Sequence, residues 1–195
     1  MASDSLAPSA LNTSSFNFAL RLAHEDDAQE LEALIELSVR CLLSRHYTTQ
    51  QLAVALGPVF GLDRRLIADC TYFVVESGDG ILACGGWSKR RAVYGGDRSR
   101  AGEDTELSPA VDAARIRAFF VHPNWERRGL GRLLLRASEE AISAAGFSRI
   151  ELVATLAGEP LYATHGYVVV ERYDALLPDG SPLAVARMTK LLSGE

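Results

Sequence analysis

A short stretch of glycines and arginines could bind an anion. Gly129 and Gly131 flank the point where a predicted strand and a proline-containing turn are followed by an amphipathic helix, and Arg127, Arg128 and Arg132 lie beside them. Backbone N–H groups at a helix N-terminus and the helix dipole attract negative charge, and glycines let a ligand approach the backbone closely. The stretch therefore predicts a pyrophosphate site, and the other interpretation is a tight turn with solvated arginines.

Other catalytic and phosphate-binding motifs fit this sequence less well. The dinucleotide fingerprint G-x-G-x-x-G needs a third glycine where Leu134 stands, and its first glycine should directly follow a strand. The sequence contains no G-x-x-x-x-G-K-[ST] string, and residues 146–150 lack the closing glycine of G-x-S-x-G. These mismatches disfavour a dinucleotide-dependent enzyme, a P-loop and a serine nucleophile elbow.

The elements that position this stretch belong to a predicted mixed α/β sheet. Apolar residues over 129–145 follow the period of an amphipathic helix, and Gly146 followed by Phe147 predicts its C-terminal cap. The predicted order is β, α, α, ββ, β, α, β, α, β, β, with one internal β-α-β crossover. The predicted strands are 18–22, 71–75, 81–84, 115–121, 150–154, 167–171 and 183–191. Four helices are predicted: one that begins at residues 25–27, one over 49–69 with breaks at 57–58 and 61, one over 129–145 and one over 159–164.

The composition fits one globular domain with no special partner class. The 195 residues match a single-domain length, with residues 1–15 expected as a flexible tail and 16–195 as the domain. No apolar stretch approaches the ~20 residues of a membrane span, and the N-terminus lacks the pattern of a secretory signal, so we expect a cytoplasmic protein that binds no membrane. The net charge of −5 argues against nucleic-acid binding. Cys41, Cys70 and Cys84 show no C-x-x-C spacing, which indicates reduced thiols and no metal site.

Two motifs resemble those of the GNAT superfamily of N-acetyltransferases. The family pattern V-x-P, a spacer and [Q/R]-x-x-G-x-[G/A] is matched by Val121-His122-Pro123 and residues 126–131, although Glu126 stands where the family has Gln or Arg. The family's Y-x-x-x-G-[F/Y] motif is matched by residues 162–167. The resemblance covers about residues 17–192. It implies a mostly antiparallel central sheet with helices on both faces, one crossover and two splayed central strands.

The resemblance also implies acetyl-CoA as the cosubstrate, without a metal. In this family, the pantetheine arm pairs with the main chain at the end of the strand over 115–121, as a ligand strand added to an open sheet edge. The backbone around the glycines then holds the pyrophosphate. The side chains of Phe119 and Phe120 are predicted to enter the core on opposite faces. The expected cofactor contacts are Phe119, Phe120, Val121, Arg127, Arg128, Gly129, Leu130, Gly131, Arg132 and Thr155.

Tyr162 matches the family tyrosine near the departing thiolate. A phenol of pKa about 10 is protonated at neutral pH, and full proton transfer to a thiolate of pKa near 8.5 is uphill by roughly 2 kcal/mol. We therefore expect Tyr162 to stabilise the leaving sulfur mainly as a hydrogen-bond donor, acting as general acid only if the site shifts these pKa values. The other interpretation is a ring packed on a short helix.

The general base is harder to identify. An amine nucleophile must lose a proton before it attacks, to a carboxylate, a histidine or a water chain. Glu151 resembles a position where some family members hold an acid, and it is the candidate base; it also fits a solvent-facing strand residue. His122 and His165 lie near the motifs and fit structural histidines.

The predicted activity is acetyl transfer to a primary amine by direct attack on the thioester. A catalytically silent acetyl-CoA-binding or sensing module is the alternative, because Glu126 departs from the family pattern and the sequence identifies no clear general base. We expect the acceptor to approach from the first helices and from residues 89–112, a predicted loop that begins basic at 89–91 and becomes acidic at Glu103, Asp104 and Glu106. The acceptor's identity is left open, and a homodimer is allowed.

Overall fold

The computed structural model describes residues 18–78, 80–91 and 105–192. The predicted tail, position 79, most of the predicted loop over 89–112 and the last three residues lie outside the described residues. Within them, the strands are β1 (Ala19–Leu22), β2 (Tyr72–Ser77), β3 (Gly80–Ser88), β4 (Ala114–Val121), β5 (Arg149–Thr155), β6 (Val168–Leu176) and β7 (Pro182–Leu191). The α-helices are α1 (Ala28–Leu42), α2 (Thr49–Ala55), α3 (Arg64–Ala68), α4 (Leu130–Ala144) and α5 (Glu159–Ala163).

The strands form one seven-stranded sheet in the order β1-β2-β3-β4-β5-β7-β6. β4 and β5 are parallel and connected through α4, whereas the other neighbours pair antiparallel. Side chains alternate between the two faces, so Val74 packs in the core beneath α1 to α3 and Val75 packs beneath α4. This confirms the predicted mixed sheet with helices on both faces and one crossover.

β4 and β5 separate soon after they begin. They pair only at Ala114 with Ile150 and at Arg115 with Glu151. At its other edge, β5 pairs with β7 along its whole length. The remainder of β4 therefore presents an open edge toward β5, which confirms the predicted splay of the central strands.

A bulge in β4 turns its last residues. Cys84 faces Phe120 and Gly86 faces Arg117, so Ala118 and Phe119 together oppose a single residue of β3, Gly85. Ala118 has a φ of 56°. A Cβ on Gly85 would lie 2.3 Å from Cδ1 of Phe119, so the glycine makes room for that ring.

The helix predictions hold apart from details at their ends. The region over 49–69 divides into α2 and α3 at the predicted glycine breaks. Gly146 has a φ of 86°, and the N–H of Phe147 donates to the carbonyl of Ile142 at 3.2 Å, which confirms the predicted cap as a Schellman motif. Leu135 belongs to the buried face of α4, whereas Ala145, the last residue of the predicted helix, is exposed. None of the helices in the described parts of the chain is long and apolar enough to cross a membrane.

Candidate active site

The splay between β4 and β5 opens into a cleft of about 670 Å³. The end of β4, the following loop and the start of α4 line one part of it, and the end of β5 with α5 lines another. Residues from the end of α1, the α2–α3 connection, β6 and β7 complete it. The cleft thus brings both predicted motifs into one cavity.

The glycine-arginine stretch forms the loop that leads into α4. Arg127 and Gly129 both adopt left-handed backbone conformations, with φ of 62° and 87°. The N–H of Leu133 donates to the carbonyl of Gly129 at 3.0 Å, so the N–H groups of the preceding turn have no acceptor within the helix. Residues 127–132, named the anion loop from here on, therefore offer backbone donors and the positive end of a helix dipole to the cleft.

The three arginines of the anion loop differ in their surroundings. Arg127 and Arg132 line the cleft. The guanidinium carbon of Arg128 instead lies 4.6 Å from the centre of the Trp125 ring, a cation–π contact. Gly129, Leu130 and Gly131 line the cleft too, and a Cβ on Gly131 would lie 3.1 Å from Cδ2 of Leu161. Gly131 therefore also allows α4 to pack closely against α5.

Glu126 has a partner that the local sequence does not indicate. Its Oε1 lies 3.5 Å from Nη1 of Arg45, and both residues line the cleft. The arginine is 81 positions earlier, in the 3₁₀ turn after α1. It supplies a positive charge beside the acidic side chain that replaces the family's Gln or Arg.

The end of β4 turns its open edge toward the cleft. The N–H of His122 donates to Leu82 in β3, and the N–H of Val121 instead donates to the hydroxyl of Ser38 in α1 at 3.3 Å. Phe119 packs on the α4 side of the sheet and Phe120 on the α1 side, which confirms their predicted opposite faces. The backbone of β4 thus has a donor at the cleft that a side chain, rather than a neighbouring strand, satisfies.

Tyr162 lies on α5 and lines the cleft as a buried side chain. Its ring centre is 6.1 Å from that of Phe119 and 5.7 Å from that of Tyr167. Burial raises the pKa of the Tyr162 phenol well above its ordinary value. The phenol therefore stays protonated at neutral pH and keeps a proton that it can donate in a hydrogen bond there.

The turn between β5 and α5 is fixed from two directions. Oγ1 of Thr155 accepts the N–H of Gly158 at 3.2 Å, and Thr155 lines the cleft. From the segment between α1 and α2, the Tyr47 hydroxyl accepts the N–H of Leu156 at 2.9 Å and donates to the carbonyl of Ala184 at 2.8 Å. Tyr47 belongs to no motif, and the two hydrogen bonds of its hydroxyl are visible only in the structure.

Glu151 lies where β4 and β5 are still paired, outside the residues that line the cleft. Its carboxylate forms ion pairs with Arg115 and, at 3.2 Å, with Arg187. A carboxylate shared by two guanidinium groups is a poor proton acceptor. The structure therefore places the predicted base away from the predicted acid, and the base role of Glu151 stays a prediction without geometric support.

The two histidines near the motifs make local contacts. Nδ1 of His122 accepts the N–H of Asn124 at 3.2 Å, and Nδ1 of His165 lies 2.7 Å from the carbonyl of Leu161. His46, which lines the cleft beside Arg45, has no sequence signal of its own. Across the described residues, no group of three or more His, Cys, Asp or Glu side chains is placed to hold a metal ion.

The described ends of the predicted loop over 89–112 lie against each other. Arg90 and Glu106 form an isolated antiparallel bridge, and Nζ of Lys89 lies 3.1 Å from Oε1 of Glu106. Glu106, from the acidic part, thus faces the basic part of the same segment. Glu103 and Asp104 lie outside the described residues.

Comparisons with known proteins agree with this geometry. The family described as "Acetyltransferase (GNAT) domain" matches residues 68–169. A GCN5-related N-acetyltransferase from Rhodopseudomonas palustris superposes with a TM-score of 0.66 at 20% identity, covering 94% of this chain and 100% of that chain. No curated protein matches the sequence significantly.

Two of the similar solved structures contain the cofactor. The PaiA N-acetyltransferase from Thermoplasma acidophilum, in complex with coenzyme A, has a TM-score of 0.60 at 13% identity, covering 89% of this chain and 98% of that chain. YncA from Salmonella typhimurium, with its cofactor acetyl-CoA, has a TM-score of 0.58 at 18% identity, covering 92% of this chain and 96% of that chain. At these identities, the likeness shows a shared fold.

Proposed function

Because the chain belongs to the GNAT acetyltransferase family, we propose that it transfers the acetyl group of acetyl-CoA to a primary amine by direct attack. One domain that begins near residue 16 carries this activity. The observation that supports it most is the single cleft between β4 and β5, because the anion loop and Tyr162 both line it. A cofactor that holds its phosphates at the loop can extend its thioester toward the tyrosine.

The cofactor is held mainly by backbone groups. The pyrophosphate accepts hydrogen bonds from the N–H groups of the anion loop, and Arg127 and Arg132 add positive charge from the cleft wall. The pantetheine arm lies along the open edge of β4, as an added strand. There an amide carbonyl of the arm replaces the Ser38 hydroxyl as the acceptor of the hydrogen bond from the N–H of Val121. Thr155 shapes the turn on the opposite side of the arm.

The chemical step needs no covalent enzyme intermediate. The neutral amine nitrogen attacks the thioester carbonyl carbon, a C–N bond forms, and the C–S bond breaks as the thiolate leaves. The nitrogen releases its extra proton, and the thiolate takes up one proton. Tyr162 donates a hydrogen bond to the sulfur as negative charge develops there, and its raised pKa keeps the donor proton in place.

The proton from the amine goes to water at the mouth of the cleft. Glu151 is not given this role, because its carboxylate is paired with Arg115 and Arg187 outside the cleft. The amine therefore reacts as the fraction that is already neutral, and the rate rises with pH until the amine is fully deprotonated.

One observation supports a second candidate function, a catalytically silent acetyl-CoA-binding module. Glu126 places a carboxylate at the anion loop, where the family has a neutral or positive side chain. Arg45 lies 3.5 Å from it and reduces the repulsion that a phosphate would meet. Binding is therefore compatible with both functions, and turnover separates them.

A binding measurement followed by an activity measurement tests the proposal. We expect acetyl-CoA at about 100 times its Kd to stabilise the protein by about 2.7 kcal/mol, which raises Tm by roughly 5–10 °C. NAD at the same concentration should leave Tm unchanged. Thiol release with a panel of primary amines should then require both acetyl-CoA and an amine. Stabilisation without thiol release would favour the silent module, and a missing stabilisation would contradict both functions.

A further inference from the structure

One set of residues that line the cleft belongs to the hydrophobic core. These side chains come from the turn after α1, the α2–α3 connection, β6 and β7, and they pack in the same cluster as the buried face of α1. We name this set the acceptor wall; its members are Leu43, Val59, Phe60, Ala175, Leu183 and Val185. The main hydrophobic core therefore backs this part of the cleft wall.

The charges around the acceptor wall are mostly positive or compensated. Among the described residues that line the cleft, Glu126 is the only carboxylate, and it lies 3.5 Å from Arg45. Arg117 also lines the cleft, and its guanidinium is 3.0 Å from the carboxylate of Asp63. The other cationic lining residues belong to the anion loop, and His46 is the one histidine among the described lining residues.

Resting on the proposed function, we propose that the acceptor is a small monoamine whose single amino group is carried by an apolar body, either aromatic or branched aliphatic. Such a body buries its surface against the acceptor wall. A second ammonium or a set of sugar hydroxyl groups would lose water there without gaining partners. The apolar wall also favours the neutral amine over the ammonium ion, and the neutral amine is the form that attacks.

Acceptor selectivity measured by thiol release with the full-length protein tests this inference. We expect kcat/KM for 2-phenylethylamine and 3-methylbutylamine to exceed that for spermidine and glucosamine by at least about tenfold. A preference for spermidine, glucosamine or a lysine-containing peptide would overturn the inference and leave the proposed acetyl transfer standing. Thiol release with none of the amines would contradict the proposed function itself and the inference with it.

A charged side chain introduced into the acceptor wall tests whether this surface determines the preference for apolar amines. Val59 is half-buried and lines the cleft, so Val59→Asp should lower kcat/KM for 2-phenylethylamine at least about tenfold and shift the ratio toward spermidine. Val168, at the start of β6, is 60% exposed and does not line the cleft. Val168→Asp is therefore the matched control, and its selectivity should equal that of the parent protein.

The same variants separate lost selectivity from lost folding. Stabilisation by acetyl-CoA should persist in Val59→Asp, because the anion loop is unchanged. Should Val59→Asp not fold, Val59→Thr keeps the shape, adds one hydroxyl group and should reduce the preference severalfold. An unchanged ratio of 2-phenylethylamine to spermidine in a folded Val59 variant would overturn the inference.

Discussion

The two halves of the cleft are built in different ways. The anion loop is one contiguous segment, residues 127–132, whose proposed role in phosphate binding rests on the backbone conformation at Arg127 and Gly129. The acceptor wall is assembled from side chains of four separate parts of the chain, between Leu43 and Val185. The first half suits a cofactor shared by a whole family, and the second can change with the acceptor while the fold stays constant.

The largest effect is expected at Tyr162, which lines the cleft and belongs to neither half. Tyr162→Phe removes the proposed hydrogen-bond donor to the leaving sulfur and should lower kcat by about 100-fold, the lower end of the range for such groups. Stabilisation by acetyl-CoA should be unchanged, since the anion loop is intact.

Tyr167→Phe is the matched control for that variant. Tyr167 is also buried, but its hydroxyl donates to Glu139 at 2.9 Å instead of lining the cleft. Its loss should reduce thermal stability and leave kcat within a few-fold. Equal losses of kcat in the two variants would show that Tyr162 acts through packing rather than chemistry.

A smaller effect tests whether the cofactor half depends on backbone conformation. Gly129 and Gly180 both have left-handed conformations, with φ of 87° and 80°, and an added methyl group costs about 1–2 kcal/mol at either position. Gly180 lies in the β6–β7 turn, where a Cβ would meet nothing within 4 Å. Both alanine variants should lose similar thermal stability.

Only Gly129→Ala should also weaken acetyl-CoA binding, by about tenfold, because the loop relieves its strain by moving the N–H donors. Calorimetric titration of both variants checks this. Equal affinities in the two variants would remove the anion loop from cofactor binding.

The smallest effect concerns the ion pair between Glu126, next to the anion loop, and Arg45. Glu126→Gln should strengthen acetyl-CoA binding, and Arg45→Ala should weaken it, because an uncompensated carboxylate then faces the phosphates. Both side chains are substantially exposed, so each change should be about two- to fivefold. In the double variant, the loss of Arg45 should have less effect than in the parent. A double-mutant cycle at low and high salt measures this, and full additivity at low salt would contradict the coupling.

The same division explains what the sequence could predict. The order of strands and helices along the chain, the crossover and the cap at Gly146 follow from local periodicity and turn chemistry, and all are present. β6 is longer than predicted because it lies at the sheet edge, where most of its side chains are exposed and alternation is weak. The motifs located the anion loop and Tyr162 because each is a short contiguous pattern.

Contacts between distant segments could not be predicted in this way. Arg45 reaches Glu126 across 81 positions, and the Tyr47 hydroxyl connects Leu156 with Ala184. Glu151 matched a position where family members hold an acid, yet two guanidinium groups occupy its carboxylate. Such partners depend on strand register and helix packing, which one sequence does not state.

In the proposed function, the cofactor lies between β4 and β5 with its phosphates on the anion loop. Amide chemical-shift changes on titration with coenzyme A test this most directly. We expect the largest chemical-shift changes at the amides of Phe119 to Val121 and of Arg127 to Arg132. These include the Val121 N–H, which donates to Ser38 in this structure. Small changes there, with large ones in another part of the molecule, would contradict it.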